Sequence, residues 1–345
     1  MARVTLRDVA EKAGVSVASV SNVLNGRTEK VTAKTAQRIV DVARELGYAK
    51  DFNAAALKTG SSNIALVLMP AIHTDDPDMQ LMDGSPFFND LLAGIEKGAS
   101  VSHLQFSFIR MGHESEAKAL LNGPEPQGVI VVGRLKDEIQ QVIAKWRFKT
   151  IVVDNGDFFR QFSAHERLIN FCVDDRVMGQ LAVEHLINLG HRHLVLLFGA
   201  LDASSVHQDR FLGIQQWLEA QDRSDVTLEL VECGVNYSDA QQAFPAVESK
   251  LKKGATAVVC MADILALGCY RAATEAGYSI PQDFSLTGMD GLQILQYMPY
   301  QLTTVNQQVI QRGFSAVQSL VTHRPIDKPD ISLTVGNTTR AIERE

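Results

Sequence analysis

Apolar residues recur at helical spacing over the first fifty positions, and the pattern then switches to short unbroken runs. In TLRDVAEKAG, Leu6, Val9, Ala10 and Ala13 fall at i, i+3, i+4 and i+7, one face of a helix. Thr5 precedes them as an N-cap with Asp8 three residues on, and Gly14 ends the element. Ser16 caps a second helix with Ser19 at its third position. There Val20, Val23 and Leu24 form the buried stripe and Val17, Ala18, Ser21 and Asn22 face outward. A third helix starts at Thr32, repeats the spacing through Ala36, Ile39, Val40 and Ala43, and closes at Gly47. Three such helices enclose one small core. The glycine turn joining the first two has helix-turn-helix spacing, although periodicity alone would also suit an ordinary helical hairpin.

From Ile64 the pattern becomes parallel α/β: continuously apolar runs alternate with helical stretches. The runs are IALVLM at 64–69, LQFSFI at 104–109, VIVV at 129–132, TIVV at 150–153, LVLLF at 194–198, LELV at 228–231 and AVVC at 257–260. Helices are predicted at 88–102, 136–145, 176–190, 210–221, 238–252, 263–276 and 306–321, a set that suggests two lobes. Between head and body, AKDFNAAALKTGSSN at 49–63 reads either as a plain linker or as a helix of barely two turns capped by Asn53, too short to be stable alone.

Charge separates the same two parts. Residues 1–60 carry ten Lys or Arg against six Asp or Glu, whereas the rest carries 23 against 34, within a whole-chain balance of −7. A basic arm on an acidic body suits phosphate contact at one end only. The polar start MARVTLRDVAEK is no signal peptide, and no apolar run is long enough to span a bilayer, so a cytoplasmic protein is expected. Cys172, Cys233, Cys260 and Cys269 are widely spread, which fits reduced, mostly buried thiols and no zinc site. Phosphate-loop, dinucleotide-glycine, zinc-protease and nucleophile-elbow motifs are all missing from the sequence, so neither an enzyme nor a cofactor is expected. His191 and His193 in LGHRHL lack a carboxylate or Cys neighbour and read as a helix-to-strand connection.

In open parallel sheets a ligand sits beyond the carboxyl ends of the strands. Three aspartates stand there: Asp154 after TIVV, Asp263 after AVVCMA and Asp290 after FSLTGM. Each could simply cap the next helix, a reading favoured for Asp263; Asp290, in a loop between Gly288 and Gly291, has the better claim to a ligand. The segment AIHTDDPDMQLMDGSP should border the cleft, with its acidic run Asp75, Asp76 and Asp78 read as a solvated loop.

The residues TLRDVAEKAGVSVASVSNVLNG, ARELGY at 43–48, LKTG at 57–60, HLINLGHRHL at 185–194 and LTTVNQ at 302–307 together resemble the lactose-repressor (LacI/GalR) family of bacterial transcriptional regulators. The resemblance implies a small all-α helix-turn-helix head on an α/β body of two doubly wound parallel-sheet lobes, as in type I periplasmic binding proteins. The expected divisions are a DNA-binding domain at 1–50, a hinge helix and linker at 51–62, and an effector-binding and dimerisation domain at 63–345. Within the last, the first lobe is expected at 63–165 and 303–323, and the second at 171–295 and 330–345.

The same resemblance implies the site residues. DNA is expected to meet Thr5, Ser16, Val17, Ala18, Ser19, Ser21, Asn22 and Asn25 in the head, with Asn53, Ala56 and Leu57 in the hinge, where Leu57 matches the leucine that wedges into the minor groove. Apolar Val17 and Ala18 favour a thymine methyl. The effector is expected to meet Phe87, Phe88, Asp154, Arg210, Asp263 and Asp290. The chain departs from the family at Lys50, Asp51 and Ala55 in the hinge, at Asn22 where Arg is frequent, and at Ala262 where Asn usually precedes the aspartate.

The resulting expectation is a repressor that binds double-stranded operator DNA as a homodimer, with no membrane partner, and whose operator affinity is set by a small effector between the lobes. Sugar leads as the effector class. The end GNTTRAIERE carries no leucine heptads, which favours a dimer over a tetramer. Two alternatives stay open: a carbohydrate sensor whose head contacts a protein, and an α/β enzyme with an appended DNA-binding head.

Overall fold

The computed structural model describes residues 4–24, 28–48, 64–71, 85–123, 125–201, 204–322, 326 and 329–342. The chain forms two compact units, Met1–Ser62 and Asn63–Glu345. The expectations for Asn25, the hinge at 51–62 with Asn53, Ala56 and Leu57, and the acidic loop with Asp75, Asp76 and Asp78 lie outside the described residues.

In the head, α1 (Leu6–Ala13) opens on a reciprocal capping box. The Asp8 carboxylate accepts the Thr5 backbone N–H at 2.7 Å while Thr5 Oγ1 accepts the Asp8 N–H at 3.4 Å, and the bonds that the carboxylate accepts from the Thr5 N–H and hydroxyl hold it below its ordinary range. Gly14, at φ 62°, ends the helix in the left-handed region. The next helix, α2 (Val17–Leu24), starts with Ser16 Oγ accepting the Ser19 N–H at 3.1 Å, and α3 (Ala33–Glu45) is capped by Thr32. Val9, Ala10, Ala13, Val20, Val23, Ile39 and Ala43 close the core, with Leu6, Leu24, Ala36 and Val40 packed partly buried around it.

Among the described residues the body holds two sheets. The first comprises β1 (Ile64–Pro70), β2 (Gln105–Met111), β3 (Gly128–Val132), β4 (Thr150–Val153) and β5 (Leu168–Asn170), all parallel, in the order β2-β1-β3-β4-β5. The second comprises β6 (His193–Phe198), β7 (Thr227–Glu232), β8 (Ala257–Cys260), β9 (Ser285–Asp290), β10 (Thr303–Asn306) and β11 (Ser332–Thr334). Its order is β7-β6-β8-β9-β10-β11, which repeats the first and adds β11 antiparallel at the edge. Helices α4 (Pro86–Ser102), α5 (Glu114–Leu120), α6 (Asp137–Ala144) and α7 (Gly156–Phe162) belong to the first part of the body. They are followed by α8 (Asp175–Asn188), α9 (Ser205–Ala220), α10 (Tyr237–Leu251), α11 (Asp263–Glu275) and α12 (Val309–Thr322).

Alternation along buried strands explains the continuous apolar runs. Ala65, Val67 and Met69 enter one core while Leu66 and Leu68 enter the core on the opposite face; Val195 and Leu197 are likewise divided from Leu194, Leu196 and Phe198. All seven predicted runs are strands. Three expectations need correction. The helix predicted from 210 begins at Ser205, because Ser204 accepts the His207 N–H and caps it there. LTTV, expected to lie at the return to the first lobe at 303, is instead strand β10, paired parallel with β9 from Thr303↔Thr287 to Asn306↔Asp290. The chain therefore stays in the second sheet until Asn306, after which α12 packs on the first lobe. There its contact with α4 is so close that a Cβ on Gly94 would lie 2.0 Å from the Ile310 carbonyl oxygen, and one on Gly313 2.2 Å from that of Leu91. Gly288 lies within β9 rather than in a loop.

Cys172, Cys260 and Cys269 are buried, Cys233 is half-buried, and all four are free thiols. His191 is buried, its ring bonded to Thr256 Oγ1 at 2.9 Å and the Arg340 carbonyl at 3.1 Å; it ties the end of α8 to the C-terminal segment, and burial lowers its pKa to about 4. Among the described residues no helix is long and apolar enough to cross a membrane, and no group of three His, Cys, Asp or Glu is placed to hold a metal ion.

Candidate functional site

In the head, packing of Val20 and Val23 into the core sets which side of α2 faces out. Ser16, Val17 and Ala18 are exposed at its start, while Ser19, Ser21 and Asn22 are half-buried one turn further along. Val17 retains 43% exposure and takes no part in the head core. Thr5 is exposed beside its capping partner.

In the body, both sheets reverse strand order beside their first strand, between β1 and β3 and between β6 and β8, so a crevice opens at their carboxyl ends. The two lobes enclose a cavity of about 300 Å³ there, at the lower end of small-molecule sites. Phe87, Phe88, Asp154, Arg210 and Asp290 all line it. The two phenylalanine rings meet edge to face at 5.8 Å and also pack on the first-lobe core, so one pair serves both purposes.

Asp263 is the exception among the expected effector residues. It is wholly buried and does not line the cavity: its Oδ2 accepts the Leu292 N–H at 2.9 Å and its Oδ1 the Thr304 hydroxyl at 2.6 Å. Nor does it cap α11, whose N-cap is Ala262 and lacks a side-chain cap bond. The carboxyl instead braces the chain after β9, and Leu292 from that segment packs into the first-lobe core and lines the cavity. Burial and the nearby Asp290 push Asp263 up to about 8.

A buried chain of charges runs beneath the cavity. Arg312, fully buried on α12, donates through Nη2 to Asp154 Oδ1 at 2.5 Å and through Nη1 to Gln307 Oε1. Gln307 Nε2 donates to Asp290 Oδ1 at 2.7 Å, which also accepts Arg210 Nη2 at 3.1 Å. Arg210 continues to Asp175 Oδ1 at 2.9 Å and to the Met261 carbonyl. The route begins at the end of β4 in the first sheet and ends on α8 and α9 beside the second, so the two lobes share one electrostatic network. Burial would depress Arg210, but Asp290 and Asp175 outweigh it and its pKa is raised. Burial lifts Asp175 to about 7 against the pull of Arg210, and it raises Asp290 as well.

Asp154 and Asp290 both adopt positive φ, 53° and 124°. For a residue other than glycine the second value is strained backbone, held by hydrogen bonds on both sides, and such strain gathers where function needs a side chain aimed. No described group donates to the second oxygen of either carboxylate, although both residues line the cavity. Each therefore offers a ligand hydroxyl one acceptor.

Sequence reasoning missed Asp175, His207, Gln307 and Arg312. A signal was present for three of them: Asp175, His207 and Arg312 occupy the buried stripes of their helices, alongside Met178 and Gly179, Arg210 and Ile214, and Gly313 and Ala316 respectively. A titratable residue on an apolar stripe needs a buried partner.

The chain matches two family models: "Bacterial regulatory proteins, lacI family" over residues 5–51 and "Periplasmic binding protein-like domain" over residues 183–345. It is 26% identical over 328 residues to the ribose operon repressor of Haemophilus influenzae, covering 92% of this chain and 91% of that one. Among solved structures, the lac repressor dimer bound to operator and the anti-inducer ONPF is similar at a TM-score of 0.69 and 23% identity, covering 99% of this chain and 100% of that one. A LacI family transcriptional regulator from Enterococcus faecium with bound ribose gives a TM-score of 0.65 at 23% identity, covering 81% of this chain and 100% of that one.

Proposed function

The chain belongs to the lacI family of bacterial regulatory proteins, and from its cavity we propose that it is a repressor whose grip on operator DNA is set by a small carbohydrate held between the two lobes. One observation carries the effector reading: Asp154 and Asp290, from opposite lobes, each direct a carboxylate at the same cavity with one oxygen unclaimed by any described group. Polyhydroxylated ligands supply donors for such oxygens, and Phe87, Phe88, Ile264 and Leu292 give the apolar wall on which a sugar ring packs. The ribose-bound relative supports that chemistry.

Because the ligand touches both lobes, it favours whichever lobe arrangement it binds more tightly, and that difference in free energy is what reaches the DNA-binding head. The protein works as a cytoplasmic homodimer without catalysis. In the head, Val17 and Ala18 read base edges from the start of α2, with Ser16, Ser19, Ser21 and Asn22 adding polar and phosphate contacts; Asn25, Asn53, Ala56 and Leu57 complete the DNA-binding set.

Selection of duplexes from random and genomic DNA, followed by titration of each winner with a sugar panel, tests both halves. A palindromic site whose affinity shifts with one sugar is expected; no sequence preference would refute the operator reading. Asn22→Arg is expected to change the preferred half-site, since arginine pairs bidentately with guanine. An unaltered half-site would remove Asn22 from the interface.

A further inference from the structure

We propose that His207 is the effector's fixed hydrogen-bond donor, a neutral imidazole that presents its Nε2–H to an acceptor oxygen of the ligand. The inference rests on the effector reading above and names a specificity-determining residue within it. His207 is the third residue of α9, is only 4% exposed, and lines the cavity. The Gly199 backbone N–H donates to its Nδ1 at 2.7 Å. A ring nitrogen that accepts a hydrogen bond carries no proton, so the neutral ring holds its proton on Nε2. Burial, and secondarily Arg210, lowers the imidazole to about 3, which keeps it neutral throughout the physiological range.

No described group meets Nε2, and it is absent from the fully enclosed polar atoms that lack a partner, such as the Trp146 indole nitrogen. Because His207 lines the cavity, a ligand acceptor can satisfy that N–H. Its direction is set by backbone. A Cβ at Gly199 would fall 2.2 Å from Val235 Cγ2 and 3.4 Å from the His207 ring, so the strand end and the ring are in close contact. The cavity serines, Ser85, Ser204 and Ser205, carry hydroxyls that rotate to suit a ligand, Arg134 is an exposed side chain with Asp137 3.9 Å from its Nη2, and Arg210 is turned toward Asp175, the Met261 carbonyl, Met178 Sδ and Asp290. Two carboxylate acceptors and one fixed donor thus describe a ligand with at least two hydroxyls near Asp154 and Asp290 and a ring, ether, hydroxyl or carbonyl oxygen at His207. An ammonium at that position would set donor against donor, so the site rejects a sugar aminated there.

The test uses the full chain with ¹⁵N-histidine labelling and a panel of D-ribose, D-glucose and cellobiose, with binding measured by calorimetry. The His207 ring is expected to stay protonated on Nε2 alone from pH 5 to 8, and its Nε2 signal to move on saturation with a bound sugar. His207→Ala is expected to weaken that sugar about tenfold or more, and His207→Gln, whose amide nitrogen reaches the Nε2 position, to recover most of the loss. A wild-type ring that titrates near pH 6–7 or carries its proton on Nδ1 overturns the proposal without recourse to a variant. A sugar that binds His207→Ala as tightly as wild type overturns it while the carbohydrate reading stands. A wild-type chain that binds none of the three sugars overturns the carbohydrate reading, and this inference with it.

Discussion

Arg312→Met is expected to lower the unfolding free energy of the body by about 3–5 kcal/mol, the usual cost of removing one member of a buried ion pair. Arg312 is completely buried, and its guanidinium holds Asp154 at 2.5 Å, the Gln307 side-chain oxygen and the Phe171 carbonyl at 3.4 Å. Methionine fills similar volume but leaves Asp154 without its counter-charge and Gln307 without a donor. Because those groups come from β4, α12 and the stretch after β10, the loss falls on the junction between the lobes and not on either core. Adding Asp154→Asn to the methionine variant removes the stranded charge, and the double variant is expected to regain a substantial part of the stability. Denaturant midpoints of wild type, both single variants and the double variant measure this directly. A loss under about 1 kcal/mol in the methionine variant would mean that solvent reaches Asp154 and the network contributes little. The Arg312 Nε is itself buried without a partner, a cost that an apolar residue would avoid.

Stability is expected to fall by about 1–2 kcal/mol between pH 6.5 and 8, and Asp263→Asn is expected to remove most of that fall. Asp263 is pushed up to about 8 by burial and by Asp290, and Asp175 to about 7 by burial in spite of Arg210. The folded chain thus holds two protons that an unfolded carboxylate, titrating near 4, has already released. Their contribution is fully present at low pH and is lost as the pH rises through the folded values. His191 and His207 act in the opposite sense, since burial lowers them to about 4 and about 3. At pH 6.5 unfolded histidine is still half-protonated, so their opposing gain persists and fades only above about pH 7.5. The carboxylates outweigh that gain across the interval. Asparagine at 263 can still accept the Leu292 N–H and cannot ionise, so its profile should be flat where the wild type declines. Urea midpoints at pH 6.5 and 8 give the comparison, and a flat wild-type profile would show that Asp263 ionises without penalty.

Much of the fold was legible because its signals are local. The Thr5 and Asp8 box, the Ser16 and Thr32 caps and the glycines at 14 and 47 act within four residues, so reading them needs no knowledge of the rest of the chain. The continuous apolar runs of β1, β3, β4, β6 and β8 carry enough hydrophobicity to be recognised alone. By contrast β5, β10 and β11, at three or four residues, are strands only because a neighbour pairs with them. LTTV illustrates the difference: it was expected to open the first-lobe stretch at 303, and β9 pairs it into the second sheet.

For the site, the sequence by itself determined which residue types stand at the strand ends, and hence that Asp154 and Asp290 were candidates; Arg210 came from the family resemblance. Only the tertiary structure separated them from Asp263, whose identical side chain is consumed by Leu292 and Thr304. It alone joined Asp154 to Arg312 across 158 positions, and placed His207 on the cavity wall with its Nδ1 engaged by Gly199. The physical reason is range. Caps, turns and periodicity are interactions between near neighbours that spacing encodes, whereas a buried charge takes its meaning from partners brought together by folding and from the water that folding removes.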